Sequence, residues 1–277
     1  MIIAVLCGAV VGLALGLTGG GGSIFAVPLL IYGVQLEPHA ATTVSLAAVG
    51  LIALAGAVDS ARTGLVELRC ALLLAVTGMA AAPLGVTLAG HAPDEAIIVG
   101  FALLMLTIAG RMWTHAGSRP AETRAVRAGL GVTGPVEAGP VCRYSVDGQL
   151  HLNAPCSAAL AGCGLVVGAL SGFFGVGGGF LIVPALLAIT QMGIHRAVAT
   201  SLLVIALIGA AGVAASWWQG RDVVWALAML FALGGLAGMS LGRVLAARLA
   251  GPALQRLFAL SMTIVAALML SGQLDYF

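Results

Sequence analysis

The sequence predicts an all-α polytopic membrane protein of about ten helical segments, arranged as two inverted-topology repeats, each with a Gly-rich helical hairpin. Composition, an internal duplication and the placement of arginine predict it. Of 277 residues, 61% are hydrophobic and 8% charged, with a mean hydropathy of +1.12. Such a chain cannot dress the surface of a water-soluble globule.

The duplication is read from residues 7–46, which recur at 163–202 with a constant offset of 156 and 17 identities in 40 positions. About four or five would arise by chance in so Gly-, Ala-, Leu- and Val-rich a chain. Matching Gly/Pro interruptions in the hydrophobic segments of two halves point to the binding site of a secondary transporter.

Taken in order, residues 1–36 carry no charge and are too long for one span, so they divide at the glycine cluster into two helical pieces. Apolar stretches over 38–58, 70–93 and 96–110 complete the first half. The second half repeats the scheme, with 157–194 divided at its own cluster, then 197–220, 223–242 and 257–274. The first repeat is thus 1–115, a linker 116–155 and the second repeat 156–277. Residues 2–17 resemble a signal peptide in length, but they lack a basic leader and belong to the duplicated unit. In the linker, polarity alternates from Cys142 to Leu152 around Asp147-Gly148, the signature of a two-residue hairpin turn. The segment reads as a possible β-hairpin or as a disordered linker.

All twelve basic residues are arginines. If each glycine cluster is a hairpin whose arms enter and leave on one face, the halves are oppositely oriented and only Arg221 lies apart from the other eleven. If each cluster merely breaks one crossing helix, the split is eight against four. The positive-inside rule favours the hairpin, which puts the central loop in the cytoplasm and both termini outside. The parity is the same whether the hairpins span fully or are re-entrant.

The clusters Gly16-Leu-Thr-Gly19-Gly20-Gly21-Gly22-Ser23 and Gly172-Phe-Phe-Gly175-Val-Gly177-Gly178-Gly179, each followed by a proline (Pro28, Pro184), resemble those of the sulfite exporter TauE/SafE family. So do Ala41-Thr-Thr-Val-Ser45-Leu and Ala197-Val-Ala-Thr200-Ser201-Leu. The resemblance implies a bacterial inner-membrane permease, in most members an exporter, for small anions such as sulfite, sulfoacetate and related organosulfonates. Two departures leave the substrate open: Ser23 stands where the second cluster has Gly179, and the central loop is long.

The residues support an anion site on their own terms. Glycine runs let the backbone turn sharply and present N–H groups, and irregular backbone at membrane depth must be buried in protein or line a polar cavity. Helices beginning near Ser23 and Gly179 would aim their N-termini at the turns, each with about half a positive charge and several free donors. Candidate substrate-binding residues are therefore Gly19, Gly20, Gly21, Gly22, Ser23, Gly175, Gly177, Gly178 and Gly179, with the hydroxyls of Thr43, Ser45, Thr200 and Ser201. The plainer alternatives are close helix packing for the glycines, as for Gly8, Gly12 and Gly16, and bonds to their own helix carbonyls for the hydroxyls.

Gln35 and Gln191, and His39 and His195, match across the repeat and are candidates for gating or coupling, the glutamines more simply as helix caps. Asp59 and Glu67 read as local ion-pair partners of Arg62 and Arg69. Cys7 and Cys163 also coincide, and the cysteines show no metal-ligand spacing. No metal, cofactor or nucleic-acid partner is implied; a small anionic solute, the lipid bilayer and a coupling H+ or Na+ are. Rival readings are a membrane assembly subunit that moves nothing, and an intramembrane serine hydrolase using Ser23, which lacks a Gly-x-Ser-x-Gly elbow. The chain is not read as an enzyme. Oligomeric state is not legible.

Overall fold

The computed structural model describes residues 2–18, 20–118, 143–144, 150–151, 153–190, 192–220, 223–249 and 252–274. Helices dominate them: α1 (Ile2–Thr18), α2 (Gly21–Gly33), α3 (Pro38–Arg62), α4 (Leu68–His91), α5 (Asp94–Ser118), α6 (Ala154–Phe174), α7 (Gly179–Thr190), α8 (Ile194–Trp218), α9 (Trp225–Leu249) and α10 (Pro252–Leu274). Five of these ten, α3, α4, α6, α8 and α9, are long and apolar enough to cross a membrane. The strands β1 (Arg143–Tyr144) and β2 (Leu150–His151) pair antiparallel, Arg143 opposite His151. The Asp147-Gly148 turn lies outside the described residues.

Local sequence explains several helix starts. Pro38 opens α3 after an extended Glu37, and α6 follows an extended Asn153 with a proline in its first turn. At those positions the missing proline N–H would have no helical partner anyway. α2 is less regular than the sequence suggests: 3-10 over Gly21–Phe25, α over Ala26–Pro28 and π over Leu29–Gly33. Its counterpart α7 is one α-helix of 12 residues.

The chain forms two compact units. In the smaller, residues 93–139 and 245–277, α5 packs on α10. α5 buries Ile97, Phe101 and Met105, and α10 buries Met262, Ala266 and Met269, both at helical spacing.

The larger unit, residues 1–92 and 140–244, is built on crossings that recur with the repeat. α6 lies parallel to α4, and glycines bring their backbones together: a Cβ on Gly168 would collide with the Gly78 carbonyl, and one on Gly172 with that of Ala82. α1 meets α9 in the same register, Gly12 against the Gly235 carbonyl and Gly16 against that of Met239. The partners correspond at offsets of 156 for the first helices (12 to 168) and 157 for the fourth (78 to 235). α3 and α8 cross antiparallel, since Leu46 meets Gly212, Gly50 meets Gly209 and Leu202 meets Gly56. Among lipid tails the hydrophobic effect does not draw helices together, so this close approach of small-residue faces supplies the packing energy.

Candidate functional site

The second glycine cluster is a tight turn between α6 and α7. Gly175, Gly177 and Gly178 have φ of +71°, +73° and +68°, a region glycine enters without penalty. The Gly175 N–H donates to the Ser171 carbonyl at 2.9 Å, closing α6 with a left-handed cap. Leu181 and Ile182 donate back to the Gly178 carbonyl at 3.0 and 3.3 Å. The N–H groups of Gly179 and Phe180, the first two of α7, have no acceptor among the described residues. Residues 175–180 are all buried.

α3 and α8 close over this turn. A Cβ on Gly175 would strike Thr42, and one on Gly177 would lie 3.3 Å from Val49 Cγ1 and 3.0 Å from Ile205 Cγ2. Ser45 falls between Thr42 and Val49 on that stripe of α3, as the helical repeat requires. It is 0% exposed and its hydroxyl has no hydrogen-bond partner among the described residues. Ser171, 1% exposed, is likewise unpartnered, and its Cβ lies 3.4 Å from where a Cβ on Gly178 would stand. Two orphaned hydroxyls therefore border a turn with free N–H donors. Either hydroxyl left alone costs about 1–3 kcal/mol of desolvation, so a polar guest is favoured there.

The first cluster is built differently. Ser23 Oγ donates to the Gly20 carbonyl at 2.9 Å. Thr18 Oγ1 donates to the Ala14 carbonyl at 2.7 Å and accepts from the Gly22 N–H at 3.2 Å. Its polar groups are largely satisfied from within, because Thr18 stands where α6 has Phe174. The clusters nevertheless abut: the Gly20 carbonyl lies 3.0 Å from where a Cβ on Gly179 would be. Gly21 sits beside Thr18 and Gly22 against the backbone of Ala14 and Leu15.

The remaining candidates are more dispersed. Thr43 Oγ1 donates to the His39 carbonyl at 3.1 Å, and Ser201 Oγ to that of Val198 at 2.8 Å. Both follow the helix-carbonyl habit of membrane hydroxyls. Thr200 Oγ1 accepts from the Glu67 N–H at 3.1 Å. Gln35, at φ +62°, caps the end of α2 by donating to the Tyr32 carbonyl at 3.1 Å. His39 is half-buried in the first turn of α3, whereas His195 is exposed in that of α8. Gly19 and Gln191 lie outside the described residues.

Local pairing of Asp59 and Glu67 is not what forms: they reach Arg243 and Arg196, far along the chain. Ser171 carries no signal in the repeat, because the first copy has Leu15 at its position. No group of three or more His, Cys, Asp or Glu suited to a metal occurs among the described residues.

Long apolar helices around paired glycine turns define the class, a polytopic α-helical membrane protein of the permease type. Residues 4–269 match the model of the family described as sulfite exporter TauE/SafE, and the chain belongs to that family. It is 35% identical over 270 residues to a "Probable membrane transporter protein" of Xylella fastidiosa strain Temecula1, covering 96% of this chain and 93% of that one. It is 26% identical over 248 residues to "Probable membrane transporter protein YunE" of Bacillus subtilis, covering 87% and 86%. No solved structure matches. The chain is accordingly a multi-pass membrane transporter by family.

Proposed function

We propose that the protein is a secondary transporter that exports small anions such as sulfite, sulfoacetate or related organosulfonates by alternating access. The observation that carries the reading is the second glycine turn, where the buried, unpartnered hydroxyls of Ser45 and Ser171 border the N-terminus of α7. An anion there would accept from the Gly179 and Phe180 N–H groups and from both hydroxyls, with the helix dipole supplying positive potential in place of a basic side chain. A neutral donor set suits a carrier, since it binds an anion without trapping it in an ion pair.

Inverted topology belongs to the same proposal. The antiparallel crossing of α3 on α8, and the exchange of equivalent contacts between α1–α9 and α4–α6, support a two-fold axis in the membrane plane. Arginine placement then supports a cytoplasmic central loop with both termini outside, in the bacterial inner membrane that the family resemblance implies. Rocking one repeat against the other would expose the turn alternately to each face.

The test is counterflow in proteoliposomes with a panel of sulfite, sulfoacetate, C1 to C3 sulfonates, thiosulfate and carboxylates. Accelerated exchange of one or more sulfur oxyanions over protein-free vesicles is the expected result. A correctly folded, vesicle-inserted protein that exchanges none of the panel would overturn the proposal.

A further inference from the structure

At the end of the larger unit where α3 stops and α8 begins, four ionised groups tie the two repeats together. Asp59 of α3 pairs with Arg243 of α9, and a second guanidinium nitrogen of Arg243 donates to the Gly56 carbonyl at 3.0 Å. Glu67, just before α4, faces Arg196 of α8 at 3.9 Å, while its N–H donates to Thr200. Each contact joins a residue of residues 1–115 to one of residues 156–277.

The repeat supplies an internal comparison. At the offsets shared by the helix crossings, Asp59, Arg243 and Glu67 correspond to Ala215, Val86 and Val224, and Arg196 to Ala40. Gly56 against Leu202 has its counterpart in Gly212 against Leu46, both with a leucine Cδ1 at 3.1 Å from the glycine Cβ position. The glycine–leucine contacts are thus alike at the two ends of the α3–α8 crossing, while of these corresponding positions only one set is charged. Towards the other end a cavity of about 620 Å³ opens, bordered by Leu46, Gly50, Val213 and Trp217. At the charged end Leu202 is 2% exposed beneath Arg243.

We infer that the Asp59–Arg243 and Glu67–Arg196 pairs are an inter-repeat latch, which holds one mouth of the carrier shut in this conformation and opens when the repeats rock. The inference rests on the carrier reading above. Both pairs are partly exposed, Arg243 by 31% and Asp59 by 64%, so water competes for the charges and the ties can break and re-form. The counterpart positions Ala40, Val86, Ala215 and Val224 carry no charge, so these two pairs have no copy at the opposite mouth and the two ends of an otherwise near-symmetric frame differ.

The test places a cysteine at the covered position, L202C, and measures its labelling by a membrane-impermeant maleimide applied to the arginine-rich face of membrane vesicles. The parent chain, with the same native cysteines, is the baseline. Adding D59N or R243Q to L202C should accelerate labelling several-fold, and the exchanged pair D59R with R243D should return it towards the slow rate. Labelling unchanged by either single substitution would overturn the latch. So would equally fast labelling in the exchanged pair, since that would mean general loosening rather than loss of a charge pair. D59N is nearly isosteric and partly exposed, so it tests the latch should R243Q fail to fold. No solute is present during labelling, so a failed latch and a failed anion carrier give different results: the first in labelling, the second in counterflow.

Discussion

Gly178→Ala set beside Gly21→Ala tests whether the two glycine clusters, so alike in sequence, are physically different. Gly178 has φ +68°, and an L residue there costs about 1–2 kcal/mol. Its new methyl would also collide with Val167 Cγ1, with Ser171 Cβ at 3.4 Å behind it, and overpacking of this kind costs about 1–3 kcal/mol. The sum is about 2–5 kcal/mol, which at roughly 2–4 °C per kcal/mol lowers Tm by about 4–20 °C. Gly21 has no positive φ, and its methyl would find Thr18 Oγ1 at 3.1 Å and Thr18 Cβ at 3.4 Å. That is tight but faces one side chain at a half-buried site, so the cost stays within about 1 kcal/mol. Thermal unfolding of the two purified variants in one detergent, followed by tryptophan fluorescence, measures the difference. Counterflow should fall with Gly178→Ala and persist with Gly21→Ala. A Gly178→Ala protein that melts with the parent, or a Gly21→Ala protein that falls as far, would refute the argument from backbone conformation.

Three further outcomes are expected. Ser45→Ala and Ser171→Ala should each leave the solute-free protein as stable as the parent or up to about 1–3 kcal/mol more so, because an orphaned buried hydroxyl is removed. The same variants should weaken anion-dependent thermal stabilisation and raise the KM for counterflow; an unchanged KM in both would separate these hydroxyls from the solute. Gly168→Ala should be destabilising by about 1–3 kcal/mol, since its Cβ meets the Gly78 backbone. Gly162→Ala, six residues away with nothing within 4 Å of its Cβ position, should be neutral or stabilising by up to about 1 kcal/mol; equal melting of the two would contradict the crossing geometry. Thr18→Val should cost about 0.5–1.5 kcal/mol by freeing the Gly22 N–H, read as a lower Tm with Ser45-dependent binding intact.

Much of the architecture was legible in the residues because the bilayer is a demanding solvent. Charge-free stretches of near-spanning length have few options but helices, which satisfy their own backbone. A repeat with Gly8, Gly12 and Gly16 matched by Gly164, Gly168 and Gly172 announces two similar packing faces. What those glycines touch was not legible: that α1 seats on α9 and α6 on α4, each repeat lending its first helix to the other, depends on contacts about 90 and about 220 residues apart, and sequence spacing carries no record of them.

The site divides the same way. That two glycine turns interrupt the membrane segments was written in Gly19 to Gly22 and Gly175 to Gly179, since glycine allows the left-handed backbone of Gly175, Gly177 and Gly178 and the close backbone approach of Gly22. Tertiary structure alone decided that they are unequal. Thr18 and Ser23 satisfy the first turn from within, whereas Phe174 and Gly179 at the matching places in the second leave its donors open. It also brought Ser45 and Ser171, from different repeats, to that turn, and carried Asp59 past Arg62 to Arg243. Sequence determines which groups exist and how each helix spaces them; whether a hydroxyl or a charge finds a partner depends on what another helix puts within about 3 Å of it, a distance set only by packing.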